Sequence, residues 1–143
     1  MANPNINILI VEDNLAHLKI TEYILREKNV TGNLIIVRDG QEALDYIYRQ
    51  SVYSDAAASP RPDLVLLDLN LPQRDGREVL KILNSDENFK DIPVVIVSTS
   101  DREEDITYAY QHGAVGYISK SSGFEMFSEQ LGNVGRFVTQ RGA

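Results

Sequence analysis

Cysteine and tryptophan are both missing from this chain of 143 residues. Without thiols there is no disulfide and no thiolate metal site, and a reducing compartment is permitted. Basic residues are in deficit: 14 Lys and Arg against 21 Asp and Glu give a formal charge of −7. Nucleic acids are held by clustered Lys and Arg that release counterions, so nucleic acid is not expected as a partner. Long apolar runs are missing too. The longest hold four residues, against the ~20 needed to cross a bilayer. The N-terminal MANPNINILIVEDN has no basic segment before its apolar run, unlike a signal peptide. These absences lead to the expectation of a soluble, cytoplasmic domain with no membrane role.

What is present is a regular alternation. Five short apolar runs recur: ILIV (8–11), LIIV (34–37), LVLL (64–67), PVVIV (93–97) and VGYI (115–118). They are continuous, which is how strands buried on both faces read. Between them lie segments long enough for helices. Residues 14–28 set Ile20, Ile24 and Leu25 on one side, 40–50 set Ala43, Leu44 and Ile47, and 76–84 set Val79, Leu80 and Leu83. Ser100 with Glu103, and Ser122 with Glu125, read as capping boxes at two further helix starts. The small, polar, proline-bearing SVYSDAAASPRPD (51–63) reads as a long loop.

Strand alternating with helix five times predicts an α/β fold of flavodoxin-like type. That is a doubly wound, five-stranded parallel sheet in the order 2-1-3-4-5, with five helices. The length suits one domain over residues 1–143, with about one helix and a short TQRGA end after the last strand.

The acids fall at telling places. In open α/β sheets, ligands sit beyond the carboxyl ends of the strands, where the strand order reverses. Strand one is followed by Glu12 and Asp13, and its expected neighbour, strand three, by Asp68. Strand four ends in Ser98-Thr99-Ser100 and strand five in Ser119-Lys120. Carboxylates gathered on one crevice repel one another unless a cation compensates. Their hard oxygens suit Mg²⁺, which keeps room for phosphate oxygens, and Lys120 adds positive charge opposite. Such a site suits transfer of phosphate onto Asp68. Taken singly, Glu12-Asp13 could merely cap a helix, Asp68 a loop, and Lys120 could be a solvated surface lysine. Their joint position at one sheet edge favours function.

ILIVEDN, LVLLDLNLPQRDG, PVVIVSTS and GAVGYISK, in this order and spacing, resemble the signatures of response-regulator receiver domains across essentially the whole chain. The resemblance implies that Asp68 is the phospho-acceptor and that Glu12, Asp13, Asp68 and the Asn70 carbonyl hold Mg²⁺. It makes Lys120 the phosphate-pairing lysine, Ser98 the switch hydroxyl and Tyr117 the aromatic that follows it. It further implies a partner histidine kinase whose phosphohistidine supplies the phosphoryl group, and a signal carried by the surface of helix four, strand five and helix five. No output domain is expected. Three positions depart from the usual pattern: Ser121 replaces a common Pro, Leu71 a usual Met, and Thr99 a smaller residue. DLNLPQRDGREVL, the 51–63 loop and the Lys-Ser pair look most like the stand-alone regulators of bacterial phytochromes.

Phe127, Leu131 and Val134, followed by Phe137-Val138, offer more apolar surface than one sheet face should need. The expectation drawn from that surplus is a homodimer through the helix-four to helix-five surface. Competing functions fit less well, and no enzyme is expected. An aspartyl-phosphate phosphatase would need an acid two residues after the nucleophile, where Asn70 stands. A flavin or dinucleotide site would need a Gly- or Ser/Thr-rich loop after strand one, where EDNLAH offers two anions. A phosphorylation-independent scaffold would not need the full set of acids, hydroxyl and lysine.

Overall fold

A computed structural model describes residues 6–30 and 32–142. Residues 1–5, on which the signal-peptide reading partly draws, and the final residue of the TQRGA end lie outside it. The strands are β1 (Asn7–Val11), β2 (Asn33–Val37), β3 (Leu64–Leu67), β4 (Val94–Ser98) and β5 (Gly116–Ser119). Between them run α1 (Leu15–Glu27), α2 (Gly40–Ile47), α3 (Gly76–Ser85) and α4 (Glu103–Gln111), and α5 (Phe124–Gly132) follows β5. These make the expected five helices, and a sixth, α6 (Gly135–Gly142), follows α5 and takes in residues expected to form only a short TQRGA end. All pairings are parallel and the order is β2-β1-β3-β4-β5, as the alternation requires. β1 and β3 are therefore neighbours, with Val11 opposite Leu67, and the chain leaves their ends in opposite directions.

The sheet divides the core in two because successive side chains of a strand point to opposite faces. Leu9, Val11, Val65, Leu67, Val94 and Ile96 meet α2, α3 and α4 on one face. Ile8, Ile10, Leu64, Leu66, Val95 and Val97 meet α1 and α5 on the other. Both faces are covered, which is why the runs are continuous. The edge strand β2 departs from the pattern, with only Val37 fully buried.

Three local expectations do not hold. α1 buries Leu18, Thr21, Ile24 and Leu25, while Ile20 remains 43% exposed. Ile20 lies about 200° around the helix from Leu18, and the buried stripe is completed by a threonine that apolar patterning passes over. Neither capping box forms. α4 begins at Glu103 behind Arg102, and the Ser100 hydroxyl goes to the Asp105 carboxylate at 2.5 Å. α5 begins at Phe124 behind Gly123, whose φ of 98° bars a helix start there, and the Ser122 hydroxyl donates to the Ser119 carbonyl. Finally, the apolar surplus near the C-terminus is not surplus. Phe127, Leu131 and Val134 are buried against the sheet, and Phe137 and Val138 pack on the same cluster. The residues from which the homodimer was inferred are therefore occupied within the fold.

The 51–63 segment holds one 3-10 turn, Ser51–Tyr53. It is fastened by Tyr46 donating to the Pro60 carbonyl (2.8 Å) and Arg49 donating to that of Ser59 (3.2 Å).

Candidate functional site

The strand ends carry the site. β1 delivers Glu12 and Asp13 just before α1, whose N-cap Asn14 accepts from the His17 amide at 3.1 Å. β3 delivers Asp68, whose amide donates to the Val11 carbonyl at 3.2 Å and so fixes the two strand ends together. α3 starts hard against this point. A Cβ added to Gly76 would lie 2.0 Å from the Asp68 carbonyl oxygen, so only glycine admits the helix there. The Lys120 amide donates to the Ser98 carbonyl at 2.7 Å, which brings the end of β5 to the same edge.

The carboxylates of Glu12, Asp13 and Asp68 offer oxygens that all lie within 4.8 Å of one another. Asp13 is exposed, while the Glu12 and Asp68 side chains are only 5% and 10% exposed. Lys120, 7% exposed along its side chain, reaches between them, donating to Asp68 Oδ2 at 3.0 Å and to Glu12 Oε1. Burial pushes the Glu12 carboxyl above its ordinary value, and the hydrogen bond and charge of Lys120 oppose that rise. One ammonium against three carboxylates leaves two negative charges uncompensated where two of the three side chains are buried and Asp13 faces solvent. Hard oxygens with that charge fit a divalent cation of the magnesium type. Asn70 stands beside this group, its amide donating to Asp68 Oδ1 at 3.1 Å.

Ser98 and Tyr117 belong to an adjoining arrangement. Ser98 is fully buried, and its hydroxyl oxygen accepts from the Ser100 amide at 3.2 Å. The Tyr117 hydroxyl donates to the Ser100 carbonyl at 2.7 Å, and burial raises its pKa. Ser121, where a proline is common, instead donates through its hydroxyl to the Thr99 carbonyl at 3.3 Å.

Apolar patterning and motif spacing do not single out two further groups. His17 Nδ1 lies 3.1 Å from Lys120 Nζ; its place in the first turn after the acidic pair is the only signal the sequence gives. Asp105, in α4, is buried and takes two N–H groups of Arg77 (2.8 and 3.2 Å) as well as the Ser100 hydroxyl. The Ser100 bond, ahead of Arg77, holds the Asp105 carboxyl below its ordinary value against the effect of burial.

Comparison with known proteins agrees with this geometry. The response regulator receiver domain family matches residues 8–131. The response regulator Rcp1 of Synechocystis sp. is 41% identical over 120 residues, covering 84% of this chain and 80% of its own. The crystal structure of phosphorylated RcpA, a cyanobacterial phytochrome response regulator, is 39% identical, superposes with a TM-score of 0.83 and covers 94% of each chain. That of the Mn²⁺-bound form of Rcp1 is 37% identical, with a TM-score of 0.81 and 92% of each chain covered. A sheet in the order 2-1-3-4-5, an acidic crevice at its switch point and a match along most of the chain lead to one assignment: the chain belongs to the response regulator receiver domain family.

Proposed function

We propose that this chain is a cytoplasmic, single-domain switch that takes a phosphoryl group onto Asp68 from the phosphohistidine of a sensor kinase. The observation that carries the reading is Lys120 seated between the buried carboxylates of Glu12 and Asp68, with Asp13 beside them. Glu12, Asp13, Asp68 and the Asn70 carbonyl would hold Mg²⁺, which when bound supplies positive charge to the equatorial oxygens of the transferred group. The Mn²⁺-bound form of Rcp1 supports a divalent cation in a relative of this chain.

The remaining chemistry belongs to the chain. An Asp68 oxygen attacks phosphorus, the P–N bond breaks, and the electron pair leaves with the kinase imidazole. Lys120 faces the incoming charge and needs no proton transfer to do so. Such catalysis is chiefly positioning and electrostatics. The product is an acyl phosphate of roughly −2 charge with three acceptor oxygens. Ser98 turns its hydroxyl toward one of them and gives up its bond with the Ser100 amide, so that Tyr117, held on the Ser100 carbonyl, registers the change. The altered surface of α4, β5 and α5 then meets a protein partner and passes the signal on by contact. A phytochrome-class kinase is the partner favoured by the likeness to phosphorylated RcpA. That flank exposes Tyr110, Val115, Phe124 and Met126, which leaves a second copy of the chain as a candidate partner there.

The test is direct. Incubation with a small phosphoryl donor and Mg²⁺ should add one phosphate by intact-mass measurement, and Asp68→Asn should abolish it. Labelling that persists in Asp68→Asn refutes the assignment of the acceptor. Light scattering of the labelled and unlabelled protein tests the second copy, which a monomeric mass in both states excludes.

A further inference from the structure

An ammonium has three N–H donors, and Lys120 spends each on a different residue: Asp68 Oδ2 (3.0 Å), Glu12 Oε1 and His17 Nδ1 (3.1 Å). The first two are carboxylates, one at the end of β3 and one at the end of β1. The third is neutral and comes from helix α1. Its acceptor role fixes its chemistry: a nitrogen that receives a hydrogen bond from Lys120 carries no proton, so the imidazole proton sits on Nε2.

His17 is itself held. Its amide donates to Asn14 Oδ1 (3.1 Å), and the Asn14 amide donates to Glu12 Oε2 (3.1 Å). Glu12 Oε1 accepts from Lys120, which donates to His17. The four residues thus close a ring of hydrogen bonds that ties the start of α1 to the end of β5. A lysine has a long stem and much rotamer freedom to lose when fixed. A third acceptor mounted on a helix restricts it at the one place where its charge is needed.

We propose that His17 is a positioning residue that acts through Lys120, holding the ammonium within reach of Asp68 during phosphoryl transfer. The proposal rests on the reading of Asp68 as acceptor. His17 touches neither donor nor acceptor of the phosphoryl group. Its effect is to set where Lys120 stands when the phosphoryl group arrives.

The experiment uses the full chain, Mg²⁺ and phosphoramidate, with the rate of mass gain as readout. His17→Leu, which removes the acceptor but keeps bulk, should be labelled about tenfold more slowly, the scale expected for losing one hydrogen bond to a charged group. His17→Gln restores an acceptor oxygen and should recover most of the rate. In a Lys120→Ala background, His17→Leu should cost nothing further, which a purely structural role for His17 would not produce. A second readout needs no metal or donor: the ¹⁵N spectrum of the imidazole in mildly alkaline solution should show Nδ1 bare and Nε2 protonated in wild type, with that preference relaxed in Lys120→Ala.

Wild-type labelling with an unslowed His17→Leu, a slowing that survives Lys120→Ala, or a proton found on Nδ1 each overturns the inference while leaving the acceptor assignment intact. A wild type that is never labelled overturns the acceptor assignment, and the role of His17 in transfer falls with it.

Discussion

The flank built by α2 and α3 and the flank built by α4 and β5 rest on the same sheet, yet they are fastened in different ways. On the first, tyrosines bind across elements. Tyr48 donates to Asp86 and Tyr53 to Glu42, both at 2.6 Å, while the Tyr46 and Tyr53 rings meet edge to face at 5.1 Å. On the second, the bonds converge on the short loop that leaves Ser98. The Ser100 amide, carbonyl and hydroxyl serve Ser98, Tyr117 and Asp105 respectively, and Arg77 of α3 grips Asp105. The first flank is a wall that reaches the site through one residue: Glu42 accepts from the Arg38 amide at 2.7 Å, and the Arg38 guanidinium donates to the Asp13 carbonyl at 3.1 Å. On the proposed role of Ser98 the second is a latch, since a movement of Ser98 would take a partner from Ser100, which is bonded to both α4 and β5.

The contrast can be broken from the sheet outward. Leu67→Ala deletes fully buried surface shared by both flanks and should cost about 2–5 kcal/mol in denaturant unfolding. A loss well under that range would mean the sheet is not their common support. Arg77→Ala should cost less, about 1–3 kcal/mol, because it leaves the Asp105 carboxylate buried with fewer donors. Asp105 also gives the latch a pH signature. Its pKa is lowered on folding, so its stabilisation is present above the ordinary carboxylate range and is lost as pH falls through the folded value. Asp105→Asn should therefore flatten the acid limb of the stability curve, and an unchanged limb would contradict the assignment.

The wall should respond at the opposite end of the scale. The Tyr48 and Tyr53 phenols are pushed from 10.0 to about 12, by burial first and then by their carboxylate partners. A phenol that keeps its proton longer in the folded state stabilises fully below pH 10, and that contribution disappears as pH rises from 10 through about 12. Tyr48→Phe should lose about 1 kcal/mol at neutral pH and show a shallower alkaline decline. The smallest effect belongs to Phe124→Ser, a 63% exposed position, which should stay within about 0.5 kcal/mol of wild type.

The fold was legible because doubly covered strands leave uninterrupted apolar runs, and LVLL became β3 residue for residue. The acidic crevice was legible because Glu12, Asp13 and Asp68 each follow a strand directly, so topology alone brings them together. Side-chain hydrogen bonds across elements were not. Ser100 matches a capping pattern in the sequence, but its hydroxyl donates to the Asp105 carboxylate and accepts from the Arg102 amide ahead of the helix, which starts only at Glu103. His17 gives no periodic signal, since its partner stands 103 residues away. Phe127, Leu131 and Val134 looked excessive only because α1 and α5 cover the sheet more completely than a count of apolar residues conveys.

Gly76 carries a consequence for anyone who would vary this protein. Its missing side chain is what lets α3 abut the backbone of Asp68, 2.0 Å from where a β-carbon would stand. A library randomised at this single codon and selected for a folded domain should return glycine almost alone, since even alanine would push against the backbone of Asp68 before it disturbed the rest of the chain.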